Sequence, residues 1–284
     1  MDSEIMVKCV SQLYNVHPNS DIYVIGTGTS LRVFPISLLE NKITIGLNMA
    51  WKTVPVRYSI TIHPELSIPE FLPDEKPKPE ITWVTKYNKT KGLVSPEQFK
   101  YAEENFYFFE TEGRSNTQPP NKPSDAGRIL EWVRKPTDNK LYLWTSIAQS
   151  GVNLAANMGA KNIILIGCDN CALLDNHHAH QQHTRWRDAS PEERYREYYE
   201  GLAEMRPVLR DRGINLVSLT PFLSLAHPEK DFERICTETN QPKYIASKPD
   251  ITPKLDYRRY YLQQIKKTIK KILLLEERQK VEGK

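Results

Sequence analysis

A glycine-rich turn near the start of the chain contains groups that could bind an anion. It consists of Gly26, Thr27, Gly28, Thr29 and Ser30, after an apolar run and before a segment of helical character. Glycine permits a tight turn, and the backbone N–H groups and hydroxyls at a helix start can face phosphate. The turn lacks the third glycine of a dinucleotide-binding motif and the lysine of a P-loop, so a purely structural turn is the alternative.

A histidine-rich stretch is the second place where chemistry could occur. Four of the seven histidines lie within seven residues, and they are His177, His178, His180 and His183. Histidine takes up a proton close to neutral pH, which makes this stretch the first candidate for a general base. An exposed loop with incidental histidines is the alternative.

Further polar residues stand at the ends of predicted elements. Asp169 follows an apolar run, where its carboxylate could hold a ribose hydroxyl, ligate a divalent cation or simply cap a helix. Thr145 and Ser146 precede a helical segment, which either hydroxyl could cap, or they could donate to a bound phosphate. Cys168 and Cys171 are spaced like half a zinc site, but a buried apolar role is favoured for Cys168 because no second cysteine pair exists.

The order of strands and helices predicts how these residues are positioned. Strands are expected at 21–26, 43–47, 58–62, 162–167 and 214–219, with helices at 146–158 and from Ser190 to Gly213. This alternation predicts a doubly wound, mostly parallel, Rossmann-like α/β sheet. Ligands bind such sheets at the carboxyl ends of the strands, so the turn, Asn48, His63 and Asp169 are expected along one edge.

Two regions depart from this alternation. Residues 70–125 are rich in proline and charge, with weak strands at 81–84 and 106–109, and predict a peripheral insertion or a lid. Residues 1–250 are therefore expected to form one nucleotide-binding domain. Residues 251–284 predict a basic amphipathic helix, whose lysines could contact an anionic surface or acceptor or could simply be solvated.

Composition limits the class of protein. The 39 Lys and Arg residues exceed the 35 Asp and Glu residues by only four, which falls short of a nucleic-acid-binding signature. No apolar run is long enough to span a membrane, and no secretory signal is evident. With only four cysteines, the chain is expected to be cytoplasmic and its thiols reduced.

Three blocks of the sequence resemble a known family. They are Val-Ile-Gly-Thr-Gly-Thr-Ser-Leu at 24–31, Gly-Leu-Asn-Met-Ala at 46–50, and Thr-Ser at 145–146 leading to Gly-Ala-Lys-Asn-Ile-Ile-Leu-Ile-Gly-Cys-Asp at 159–169. In this order they are similar to the bacterial CMP-sialic-acid-dependent sialyltransferases, and to their relatives, the flagellin-modifying glycosyltransferases and the archaeal 6-hydroxymethylpterin diphosphokinases. The similarity extends over about half of the chain.

The resemblance implies a glycosyltransferase that binds a nucleotide-activated sugar. The implied donor-binding residues are Gly26, Thr27, Gly28, Thr29, Ser30, Asn48, His63, Thr145, Ser146 and Asp169. The implied general base is a histidine before a long helix, which matches His183, with His180 as second choice. The acceptor could be a glycan, a protein, a lipid or a modified nucleic-acid base.

The relatives imply one alternative activity. In that alternative the protein is a Mg²⁺-dependent diphosphokinase that transfers a pyrophosphoryl group from ATP to a small, pterin-like hydroxymethyl compound, with Asp169 as a metal ligand. The glycosyltransferase interpretation requires no metal and no cofactor. Thr27 stands where the sialyltransferases have Asn, and no tyrosine occurs at 171–177, where they have two. The resemblance therefore leaves the identity of the sugar open.

Overall fold

The computed structural model describes residues 8–32, 34–72, 75–86, 105–112, 139–143, 146–169, 178–179 and 191–219. Its strands are β1 (Ser20–Ile25), β2 (Ile43–Leu47), β3 (Tyr58–Thr61), β4 (Thr82–Lys86), β5 (Phe106–Glu112), β6 (Lys140–Tyr142), β7 (Ala160–Ile166) and β8 (Asn215–Ser218). The α-helices are α1 (Pro64–Ser67), α2 (Ile147–Asn157) and α3 (Pro191–Arg210). Short 3-10 turns occur at Val10–Leu13, Thr29–Arg32, Ile36–Leu39, Ala50–Lys52 and Pro69–Phe71.

The strands form one parallel sheet in the order β6-β5-β4-β3-β2-β1-β7-β8. From β1 the chain adds strands in one direction as far as β6, and it then returns to place β7 on the other side of β1. The order therefore reverses between β1 and β7, and a crevice for a ligand is expected at such a reversal in an α/β sheet. The prediction of a parallel, Rossmann-like α/β sheet is confirmed.

The strands predicted inside the proline-rich insertion belong to this sheet. β4 pairs with β3, and β5 pairs with β4, so neither strand is peripheral. The aromatic side chains of Trp83, Phe106 and Phe108 are buried between the sheet and its covering segments. The other prediction for residues 70–125, a peripheral insertion or a lid, concerns residues that lie largely outside the described ranges. β6 has no counterpart among the predicted strands, because three residues are too few to show a pattern.

Helix α2 packs closely on one face of the sheet, as its small residues predict. A Cβ at Gly151 would lie 2.7 Å from Leu47 Cδ2, so glycine permits this close approach. The same helix satisfies edge strand β6, since Tyr142 N–H donates to Asn153 Oδ1 (2.9 Å) and Ser150 Oγ donates to the Tyr142 carbonyl (2.7 Å). Paired in this way, the backbone groups of Tyr142 are not available to another strand.

The other elements differ in detail from the expectations. The short helix expected after the glycine turn consists of two 3-10 turns. On the face of the sheet opposite α2, the described segments are short turns instead of long helices.

Gly213 follows α3 with φ of 77°, which confirms that this glycine ends the helical segment. Ser190 and the basic helix at 251–284 lie outside the described residues. No helix within the described ranges is long and apolar enough to cross a membrane.

Candidate functional site

The glycine turn extends the pairing of β1 with β7 beyond the ends of both strands. Gly26 N–H donates to the Ile166 carbonyl (2.7 Å), and Gly28 N–H donates to the Gly167 carbonyl (2.8 Å). A Cβ on Gly26 would overlap the Gly167 carbonyl oxygen, and one on Gly28 would lie 2.5 Å from Asp169 Cγ. Both glycines are therefore required by the close approach of the two chain segments.

Asp169 holds the far end of the turn. Its Oδ2 accepts from Ser30 N–H at 2.8 Å, and its Oδ1 accepts from the Ser30 hydroxyl. The carboxyl group is buried, and this burial raises its pKa from 3.8 to about 6, although the two bonds from Ser30 oppose the shift. In this structure both oxygens of Asp169 bind the protein's own chain, which is the capping role that the sequence left as an alternative.

Thr27 is the partly exposed residue of the turn, because the other four are buried. Its carbonyl accepts from Ala179 N–H (2.8 Å), and its Oγ1 lies 2.9 Å from His178 Nδ1. His178 is the member of the histidine-rich stretch that the described residues include. The structure therefore brings this stretch into direct contact with the glycine turn.

Arg32 makes a second connection, to the backbone of His178 and Ala179. Its Nε donates to the Ala179 carbonyl (3.2 Å), and one terminal nitrogen donates to the His178 carbonyl (3.4 Å). Partial burial lowers the pKa of Arg32, but an arginine side chain still stays protonated at neutral pH. The sequence analysis did not single out Arg32, since nothing in the sequence indicates a contact with residues almost 150 positions further along.

Asn48 and His63 are neighbours at the ends of β2 and β3, as predicted. The Thr61 hydroxyl accepts from His63 N–H (3.0 Å), and it donates its own proton to Asn48 Oδ1 (2.9 Å). This arrangement orients the Asn48 amide, so that its Nδ2 donors face away from Thr61. Both Asn48 and His63 are partly exposed, and His63 Nδ1 lies 3.3 Å from Glu65 Oε1. Thr61 is the residue here that the sequence analysis missed.

The remaining predicted residues are not part of this contact network. Ser146 caps α2, because its hydroxyl accepts from Ala148 N–H and its own N–H donates to Gln149 Oε1, each at 3.2 Å. Thr145, His180 and His183 lie outside the described residues. Cys168 is buried, which raises the pKa of its thiol to about 12 and disfavours the thiolate that zinc binding requires.

Together these residues form a line of polar groups across the carboxyl ends of β7, β1, β2 and β3. Thr27, Asn48, His63 and His178 are its partly exposed members. They present hydroxyl, amide and imidazole groups, which suit a ligand rich in oxygen. Among the described residues, no group of three or more His, Cys, Asp and Glu side chains is arranged to hold a metal ion.

Comparison of the chain with models of known protein families, with curated proteins and with solved structures found no match.

Titration of Asp169 provides a test of the burial of its carboxyl group. Because its pKa is higher in the folded state than the ordinary 3.8, the folded protein binds this proton more tightly. Wild-type stability should therefore fall, relative to Asp169→Asn, as the pH rises from about 4 to about 6, by roughly 2–3 kcal/mol. The measurement is the free energy of unfolding by denaturant at several pH values.

The exposed substitution Glu40→Gln controls for the loss of one acidic group. A constant difference between wild type and Asp169→Asn across this pH range would contradict a buried carboxyl group at position 169.

Proposed function

We propose that this protein is a glycosyltransferase that binds a nucleotide-activated sugar where the strand order reverses and transfers the sugar to an acceptor hydroxyl. The observation that carries the proposal is the position of the glycine turn. It lies between β1 and β7, where ligands of doubly wound sheets bind. The sequence resemblance to sialyltransferase-like enzymes supports the same assignment.

The donor phosphate would contact the exposed side of the turn. The amides of Gly26, Gly28 and Ser30 already donate to β7 and its following residues. Donors for the phosphate would instead come from two partly exposed side chains, the hydroxyl of Thr27 after β1 and the Nδ2 amide of Asn48 after β2. Such fixed donors would stabilise negative charge as the sugar–phosphate bond breaks.

A histidine of the 177–183 stretch would act as the general base. His183 is the choice that the resemblance implies, and His180 is the second. The contact of His178 with Thr27 makes His178 a third candidate. If His178 Nδ1 carries the proton and donates to Thr27 Oγ1, its Nε2 is the basic nitrogen that would accept the proton of the acceptor hydroxyl.

The diphosphokinase alternative would need Asp169 or another oxygen ligand to hold Mg²⁺ with ATP. Both oxygens of Asp169 accept hydrogen bonds from Ser30, so a metal would have to displace a buried contact. This observation counts against Asp169 as the metal ligand.

Binding of a nucleotide should raise the melting temperature of the protein, because a ligand that binds only the folded state stabilises it. The proposed donor site predicts a shift with CMP, UDP or GDP that is the same with and without Mg²⁺. A panel that also includes ATP separates the two activities. A shift with ATP alone, and only when Mg²⁺ is present, would instead support the diphosphokinase.

Replacement of the histidines should identify the base. Loss of a general base lowers turnover by about 10² to 10⁴-fold, while nucleotide affinity changes little. We expect this result for one of His183→Ala, His180→Ala and His178→Ala, together with loss of the ascending limb of the pH–rate profile. His17→Ala is the control, because His17 contacts Tyr58 at the start of β3, the opposite end of the strand from the site. Near-normal turnover in all three would rule out a base in this stretch.

A further inference from the structure

The dipeptide of His178 and Ala179 is attached to the glycine turn and to Arg32 by four hydrogen bonds. Ala179 N–H donates to the Thr27 carbonyl, and the His178 ring contacts the Thr27 hydroxyl. Arg32 donates to both carbonyls of the dipeptide. The side chain of Ala179 is buried in the same apolar cluster as Ile25 and Leu31. The contacts therefore combine backbone bonds, side-chain bonds and apolar packing.

Arg32 is suited to this attachment by its geometry. Guanidinium N–H groups form a planar fork, so one side chain can donate to two neighbouring carbonyls at once. Both acceptors belong to the backbone, so Arg32 determines where the main chain of residues 178 and 179 lies. Thr27 then contacts the ring that this main chain carries.

We propose that Arg32 is a positioning residue, which holds the backbone of His178 and Ala179 against the glycine turn and thereby fixes the imidazole of His178 beside Thr27. The ring and the turn then form one unit, and a ligand bound at the turn meets the imidazole at a set distance. The effect of Arg32 on turnover rests on the proposed transferase function. Its effect on the His178 ring does not.

Without Arg32, two of the four hydrogen bonds to the dipeptide are lost. The Ala179–Thr27 backbone bond and the packing of Ala179 would hold the dipeptide only loosely, and the ring would no longer keep one position. A displacement of about 1 Å at a reacting group can lower turnover by about 10²-fold. Binding of the donor at the turn does not use Arg32 and should change little.

The test is nitrogen NMR of the imidazoles in full-length protein labelled with ¹⁵N-histidine. The His178 signals are assigned by their absence in His178→Gln. In the wild type we expect one fixed tautomer, with Nδ1 hydrogen-bonded to Thr27. In Arg32→Lys, which keeps the charge but loses the fork, and in Arg32→Gln, the two nitrogen shifts should move toward the averaged values of a free ring. Thr27→Val should produce the same change directly.

The matched control is Arg206→Lys, an exposed arginine of α3, which should leave the His178 signals unchanged. Unchanged His178 signals in the folded Arg32 variants would overturn the proposal. If those variants do not fold, hydrogen exchange of the Arg32 Nε proton in the wild type decides the matter, because this proton is donated to the Ala179 carbonyl. Slow exchange supports the attachment, and exchange at the rate of an unprotected guanidinium overturns it.

Turnover measurements separate this proposal from the proposed function. We expect the Arg32 variants to lose about tenfold or more in kcat while the KM for the donor stays within about threefold. If the wild type transfers no sugar but the ring shifts change as expected, the transferase assignment fails and the role of Arg32 stands. If transfer occurs and is unaffected in both variants, Arg32 does not position a group that the reaction uses.

Discussion

The contact between the chain segments that leave β1 and β7 is the constraint on which the site depends. The hydrogen bonds of Gly26 and Gly28 to Ile166 and Gly167 continue the ladder of the two strands past their ends. At the end of this continuation, Asp169 holds Ser30. A side chain on either glycine would separate the two segments. The two glycines and Asp169 therefore stabilise the same contact between the segments.

This contact also determines which atoms a ligand can reach. With alternate amides of the turn directed at β7, the exposed side belongs to Thr27, and Asn48 follows on the adjacent strand β2. His178 contacts the same threonine. The partly exposed residue of the turn is therefore in direct contact with an imidazole of the histidine-rich stretch.

The sequence predicted the parts of this arrangement that local pattern determines. Apolar runs indicated β1, β2, β3, β7 and β8, and glycines after them marked turns that the structure contains. Apolar runs at 81–84 and 106–109 also indicated β4 and β5. Their place in the central sheet was not predicted, because the prolines and charges around them resemble those of a peripheral insertion, although Trp83 and Phe106 are buried in the core.

Pairs that are distant in sequence could not be predicted from local pattern. An acidic residue after a strand has the same sequence signature whether it faces a ligand or its own chain, so the burial of Asp169 against Ser30 was not apparent. The capping role of Ser146 could have been predicted, since a Ser followed three residues later by Gln is a capping box. The contacts of Arg32 depend on the tertiary fold alone.

The central claim is that a nucleotide binds at the exposed side of the glycine turn. Hydrogen–deuterium exchange of the full-length protein tests it most directly, with and without each of CMP, UDP, GDP and ATP. At least one nucleotide should slow exchange in the peptides that span residues 26–32 and 46–50, at the ends of β1 and β2. If every nucleotide leaves these peptides unchanged, or slows exchange only elsewhere, the glycine turn is not the nucleotide site.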